Sequence, residues 1–240
     1  MTTKLRIHII QHVPFEGPGM IADWAERHEH QLTYSKLYQG DALPEQRDFD
    51  WLVVMGGPMG VYDTEQYDWL RVEQEFIQST IAAGKYILGV CLGAQLLAAA
   101  IGSKVYRHEH REIGWFNIQR TTELENTLLD AFWPECIKVF HWHGDTYDLP
   151  AEAKLIASSE ACQQQGFILN NRIIGLQFHI EVSNASVATL IEHCGNELDG
   201  TRYVQSKEEL LSASAEEYQA IHQLLDNLLD AMEKNYREQA

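Results

Sequence analysis

The 240-residue chain reads as an α/β protein with an open, mostly parallel central sheet flanked by helices, a smaller antiparallel region and C-terminal helices. Three observations predict this. The first half alternates short apolar runs with segments of helical period, joined by short connections. Two of those runs end in turns rich in glycine or leading straight into a helix, at the strand ends where such sheets bind ligands. Apolar residues make up 45% of the chain, enough for a full core and too many for disorder.

The elements follow in order. Residues 5–10 form a short apolar strand, and residues 20–28 a helix with Ile21, Trp24 and Ala25 on one face. Residues 32–38 and 51–55 are strands, the second ending in Gly56-Gly57-Pro58. Residues 67–83 place Trp69, Val72, Phe76, Ile77 and Thr80 at helical spacing, and Gly84 stops that helix. The buried strand at 86–90 runs into Cys91 and a helix at 92–101. The second half is richer in strands, expected at 105–107, 115–119, 136–141, 153–158, 166–169 and 173–178, with Asn170-Asn171 as a hairpin turn. Ser206 with Glu209 and Ser214 with Glu217 are capping boxes opening two C-terminal helices. The last carries Tyr218, Ile221, Leu225, Leu228 and Met232 on one stripe, as a helix packed on its own domain would. Residues 1–200 are read as one domain and 201–240 as a helical extension packed on it.

Composition excludes several classes. The net charge is −17, and the 18 Lys and Arg are scattered, so neither nucleic acid nor an anionic membrane surface is an expected partner. No run approaches the roughly 20 apolar residues of a membrane span, and residues 1–10 read as a first strand, not a signal peptide. Cys91, Cys136, Cys162 and Cys194 show no paired spacing, which fits a reducing, cytoplasmic compartment.

The sharpest feature is Gly89-Val90-Cys91-Leu92-Gly93, a nucleophile flanked by glycines on a strand-to-helix turn. Such a turn strains the nucleophile's backbone and lifts its side chain off the sheet edge, and the residues two before and two after it must be small. Unpaired N–H groups at the helix start favour a thiolate, and the N–H of Leu92 points where an oxyanion would form. A structural cysteine buried beside a helix gives a similar pattern.

Downstream, His179 and Glu181 close a buried strand. Residues two apart on extended chain face the same way, so the carboxylate can orient a histidine base. A surface strand carries such a pair as easily. The loop Gly56-Gly57-Pro58-Met59-Gly60 can supply a second backbone oxyanion donor, or be an ordinary glycine-rich loop; it lacks the Gly-Lys-Ser/Thr of a P-loop. His141 and His143 form an H-x-H pair without a third and fourth ligand at convincing spacing, so neither a metal nor another cofactor is expected. His28, His30, His108 and His110 lie among charges and are expected in solvent, and the segment 111–115 reads as structural.

Gly56-Gly57-Pro58 after a strand, residues 89–95 at the turn, His143-Gly144-Asp145, and Gln177-Phe178-His179-Ile180-Glu181 occur in that order over residues 50–182. Together they resemble the class I glutamine amidotransferase family, in its stand-alone, GMP synthase-like form. The resemblance implies a flavodoxin-like sheet and a Cys91–His179–Glu181 triad that hydrolyses the side-chain amide of glutamine through a γ-glutamyl thioester. It implies an oxyanion hole from the N–H groups of Gly57 and Leu92, and a substrate pocket completed by Gln95, Trp142, His143 and Gly144. Trp142 departs from the small polar residue that relatives often carry before the histidine. About 60 residues follow Glu181, with no ATP-binding loop, so a synthase would have to act in trans. Two alternatives stand beside this: a γ-glutamyl peptide hydrolase with the same triad, and a non-catalytic regulatory or interaction module.

Overall fold

The computed structural model describes residues 4–239, so residues 1–3 of the expected N-terminal strand region lie outside the described residues. The strands are β1 (Arg6–Gln11), β2 (Gln31–Lys36), β3 (Trp51–Val54), β4 (Tyr86–Val90), β5 (Val105–Arg120), β6 (Cys136–Tyr147), β7 (Lys154–Ser158), β8 (Gly166–Leu169) and β9 (Ile173–Leu176). They join in one sheet in the order β2-β1-β3-β4-β9-β8-β7-β5-β6. The pairings from β2 through β1, β3, β4 and β9 are parallel, and those from β9 through β8, β7, β5 and β6 are antiparallel. The antiparallel part therefore extends the parallel sheet.

Helices cover both faces: α1 (Met20–Arg27), α2 (Trp69–Ala82), α3 (Leu92–Ala100), α4 (Asn184–Cys194), α5 (Lys207–Leu210) and α6 (Ala215–Gln239). This is why β3, β4, β8 and β9 are buried at every position instead of alternating. Period-two geometry divides the central strands between two cores. Ile7, Ile9, Trp51, Val53, Leu88 and Val90 pack with α1, α4 and α6, while Ile10, Leu52, Val54 and Ile87 pack with α2 and α3. The stripe Tyr218, Ile221, Leu225, Leu228 and Met232 of α6 is buried in the first core. Burying each such side chain is worth roughly 1.5–3 kcal/mol of transfer free energy. Polar ties hold α6 in register: Trp24 donates to Asp230 Oδ1 at 2.8 Å, and Asn235 donates to the Tyr86 hydroxyl at 2.7 Å.

Several elements differ from the sequence expectation. The strands expected at 105–107 and 115–119 are one, β5, whose register slips between Arg107 and Glu112. The intervening charged run has no apolar alternation to reveal it. β6 continues to Tyr147, so His143-Gly144-Asp145 lies in a strand, although glycine and aspartate are weak strand formers. β9 ends at Leu176, short of the expected 178. The helix α4 has a weak start signal in the sequence: its cap, Ser183 with Ser186, lacks the Glu or Gln of the usual box. Of the two expected C-terminal helices, α5 is a single turn. His30 is not solvated. Its side chain is 2% exposed, beside Trp24 and 3.5 Å from Glu233. Asn170 and Asn171 both adopt φ of 54°, the left-handed turn expected between β8 and β9.

Candidate active site

The strand-to-helix turn is strained as its spacing requires. Cys91 has φ 52° and ψ −107°, outside the ordinary regions for a side-chain-bearing residue. Its N–H donates to Leu176 O at 2.8 Å, and its carbonyl accepts from Gln95 N at 3.1 Å, starting α3. Both flanking glycines are obligatory on contact grounds. A Cβ on Gly89 would lie 2.6 Å from the Gly93 carbonyl carbon, and one on Gly93 would lie 2.0 Å from Val54 O. The turn thus packs directly on β3.

The Cys91 thiol is 3.4 Å from the Trp142 carbonyl oxygen, which accepts from it. His179 lies beside it, near enough to pull its pKa down. The fold brings His179 there through an isolated antiparallel bridge beyond β9: His179 N–H donates to Phe140 O at 2.7 Å. His179 and Glu181 then project together, with His179 Nδ1 2.7 Å from Glu181 Oε1. The Glu181 backbone is fixed by α1, whose Met20 N–H donates to Glu181 O at 3.0 Å. Gly19 permits this approach, because a Cβ there would be 2.2 Å from that oxygen.

Electrostatics follow from burial and these partners. Burial opposes charge on His179, but Glu181 and the contact with Cys91 overcome it and hold the imidazole pKa well above its ordinary value. Burial pushes the Cys91 thiol up; His179 and the Leu92 N–H pull it down, and Glu16 adds to the push. The net direction is upward: the helix-start N–H of Leu92 favours the thiolate as expected, but burial outweighs it.

A cavity of about 470 Å³ opens over Cys91. Gly57, Gln95, Trp142, His143 and Gly144, all anticipated from sequence, line it, together with Glu16, Arg107 and Arg111. Gln95 donates through Nε2 to Asp145 O at 3.3 Å and to Gln177 Oε1 at 3.2 Å. The His143 ring is turned toward Glu112, with Nε2 3.2 Å from Glu112 Oε2, and its Nδ1 is 3.1 Å from Asp145 O. Among the described cysteines, all are free; Cys136 is exposed, and Cys162 and Cys194 are buried.

Three groups escaped the sequence reading. Gln177, in a motif already noticed, donates from Nε2 toward Cys91 Sγ at 3.8 Å. Glu16 lies on an irregular stretch with no motif to mark it. Burial raises its carboxyl to about 7, although His179 and His12 pull it down. Glu112 supplies the third group that the spacing of His141 and His143 did not reveal: the three could offer one ligand atom each, within 4.8 Å of one another. Glu112 Oε2, however, already accepts from Gln165 at 2.6 Å, Ser159 at 3.1 Å and His143 at 3.2 Å. Glu112, His143, Ser159 and Gln165 thus form a hydrogen-bonded brace between β5, β6 and the start of β8, with His141 Nδ1 3.6 Å from Glu112 Oε2. Burial works against the Glu112 anion, but His141, His143 and Ser159 hold its pKa down to about 2. Among the described residues, no helix is long and apolar enough to cross a membrane.

A cysteine on a strained strand-to-helix turn, a distant histidine and a carboxylate meet on one sheet edge of an α/β fold, an arrangement of the amidotransferase kind. The family model for glutamine amidotransferase class-I matches residues 24–194. The glutamine amidotransferase-like protein YfeJ of Salmonella typhimurium is 34% identical over 235 residues, spanning 95% of this chain and 97% of that protein. The chain belongs to the class I glutamine amidotransferase family. A glutamine-hydrolysing GMP synthase subunit from Sulfolobus acidocaldarius is 31% identical over 145 residues, covering 60% of this chain and 73% of that protein. The crystal structure of a glutamine amidotransferase from Thermotoga maritima superposes with a TM-score of 0.87 at 33% identity, covering 96% of this chain and 98% of its own. That of a glutamine amido transferase from Methylobacillus flagellatus gives 0.90 at 29% identity, covering 97% and 95%. The α/β sheet flanked by helices is the fold of these structures.

Proposed function

We propose that Cys91, His179 and Glu181 hydrolyse the side-chain amide of glutamine. The single observation that carries this reading is the buried His179–Glu181 pair, 2.7 Å apart, set beside a Cys91 thiol that lines a cavity. In the first step His179 takes the thiol proton and the sulfur attacks the amide carbon. The carbonyl oxygen becomes an oxyanion facing the N–H groups of Gly57 and Leu92. Collapse breaks the carbon–nitrogen bond, ammonia leaves with the proton from His179, and a γ-glutamyl thioester remains. Water, deprotonated by His179, then cleaves the thioester to glutamate and the free thiol. Glu181 orients His179 and stabilises its charged form. The polar cavity wall, with Arg107, Arg111, Gln95, Gly144 and Asp145, suits the zwitterionic end of an amino acid. Ammonia would pass to a synthase supplied in trans, a reading favoured by the resemblance to a GMP synthase component that is a separate chain. The free cysteines suit a cytoplasmic setting.

A γ-glutamyl hydrolase reading keeps the same residues, and a cavity of about 470 Å³ leaves space beyond one amino acid. One experiment separates the two: incubation of the pure protein with glutamine and with γ-glutamyl peptides and amines, assaying glutamate together with released ammonia or amine. Ammonia from glutamine supports the amidotransferase. Release only from γ-glutamyl peptides selects the hydrolase, and release from neither excludes both.

A further inference from the structure

The peptide joining Gly56 to Gly57 carries one of the two oxyanion donors in this reading. We propose that His12 and Glu73 are positioning residues: a buried clamp that fixes the direction of that peptide and so keeps the Gly57 N–H available to the oxyanion. The inference rests on the assignment of Gly57 made above.

His12 is the first residue beyond β1, and Glu73 lies on α2; both side chains are 0% exposed. His12 Nε2 is 2.8 Å from Glu73 Oε1, and His12 Nδ1 is 3.0 Å from Gly56 O. A carbonyl oxygen only accepts, and an ionised carboxylate only accepts. The pair therefore needs one shared proton. On the ring, it makes both nitrogens donors. On Glu73, the carboxyl donates to Nε2 while Nδ1–H stays on Gly56 O. In either arrangement the Gly56 carbonyl is held toward His12. Trp69 stacks on the imidazole, with ring centroids 5.6 Å apart, and fixes its plane.

A trans peptide is planar, and its C=O and N–H point in opposite directions; the described residues contain no cis peptide. Holding the carbonyl toward His12 turns the Gly57 N–H the other way. Gly57 and Cys91 line the same cavity. The clamp is needed because neither glycine resists rotation of that peptide. A flipped peptide would present a carbonyl oxygen where a donor is required. A buried ion pair adds little net stability, since desolvation consumes most of its attraction, so direction is the larger consequence of this one.

Two substitutions divide the clamp. The side-chain amide of His12→Asn reaches the Nδ1 position and can still hold Gly56 O while abandoning Glu73. That of His12→Gln reaches the Nε2 position and keeps Glu73 while releasing the carbonyl. The experiment measures kcat and KM for glutamine, the urea midpoint, and the rate of Cys91 alkylation by iodoacetamide, a substitution that builds no oxyanion. His12→Gln should be the more stable variant and the slower one, with kcat down about a hundredfold, KM little changed and alkylation at the wild-type rate. His12→Asn should be less stable and recover most of the turnover. Rate loss that tracks stability loss, equal turnover in the two variants, or alkylation falling with turnover would overturn the proposal. A wild-type chain inert toward glutamine sinks the glutaminase reading alone. The crystal structure of His12→Gln then decides: a Gly56 carbonyl turned into the cavity supports the clamp, and an unmoved one overturns it.

Discussion

The Glu16 carboxylate lies against the same face of Gly56 as the His179 ring: a Cβ on Gly56 would be 2.3 Å from Glu16 Oε2 and 3.5 Å from His179 Cε1. An acid thus borders the proposed catalytic pair without belonging to it. Burial raises its pKa to about 7 from the ordinary 4.5. The folded state holds this proton after the unfolded chain has lost it, so the contribution of Glu16 to stability falls as pH rises from 4.5 through 7. Its charge, once present, also pushes the Cys91 thiol up. Glu16→Gln should therefore speed iodoacetamide labelling of Cys91 above about pH 7 and leave it unchanged below about pH 5. The rate is read by mass spectrometry of the Cys91 peptide across that range. Superimposable profiles for the two proteins would remove Glu16 from the electrostatics of the site.

Within the triad, roles predict unequal losses. Cys91→Ala and His179→Ala should each abolish glutamine turnover with the fold intact. Glu181→Gln keeps a partner for His179 Nδ1 but no charge, and should be the milder change. Because the three act as a unit, His179→Ala/Glu181→Gln should be little worse than His179→Ala alone. Multiplying effects in the double variant, or activity surviving in His179→Ala, would reassign the base.

Labelling should also distinguish shape from exposure. A glutamine-shaped electrophile should modify Cys91 and spare Cys136, whereas iodoacetamide should modify exposed Cys136 as well. Equal labelling of all four cysteines by the glutamine-shaped reagent would contradict the site.

The turn itself can be tested through its glycines. Gly93→Ala would place a methyl 2.0 Å from Val54 O, a backbone atom in mid-sheet that cannot yield. Overpacking of this kind costs about 1–3 kcal/mol or more, so the urea midpoint should fall sharply. Gly144→Ala is the control, since the nearest atoms belong to Arg111 at 3.8 Å or beyond. A midpoint for Gly93→Ala no lower than that of Gly144→Ala would mean that the turn is looser than its contacts imply.

What could be read in advance followed the strength of local signals. The parallel half was legible because β1, β3 and β4 are apolar runs bounded by turn residues, and the Cys91 turn because strain imposes glycine at fixed offsets. The stripe of α6 was legible because its period is that of a helix. His179 and Glu181 were legible as a pair; their approach to Cys91 depends on the bridge to Phe140, which no local pattern encodes. Glu16, Gln177 and Glu112 act through contacts of long sequence separation, as does the 61-residue step from His12 to Glu73. Gln177 stood in a noticed motif that gave no sign of its contact with Cys91, and nothing in the immediate neighbours of Glu16 or Glu112 marks a role. β5 and β6 were broken too early for a related reason: pairing between two long strands overrides weak strand propensity at charged residues, glycine and aspartate.

Glu112 gives the last prediction, because its acid response and its effect on the site have one cause. Its carboxyl is 1% exposed and is held at about 2, below the ordinary 4.5. A carboxylate whose folded pKa is depressed contributes stability that is complete above the unfolded value and is lost as pH falls toward the folded one. The wild-type urea midpoint should therefore drop between about pH 4.5 and pH 2, and Glu112→Gln should begin lower at neutral pH and lose less over that interval. The same substitution loosens His143, whose Nδ1 is 3.1 Å from Asp145 O, the oxygen that also accepts from Gln95. Gln95 lines the cavity and, in the proposed reading, holds the amino-acid end of glutamine. KM for glutamine should accordingly rise in Glu112→Gln while the rate of Cys91 alkylation stays near that of the wild type. Steady-state kinetics beside the labelling assay reads both. Unchanged KM with a lowered urea midpoint would confine Glu112 to holding β5 and β6 together.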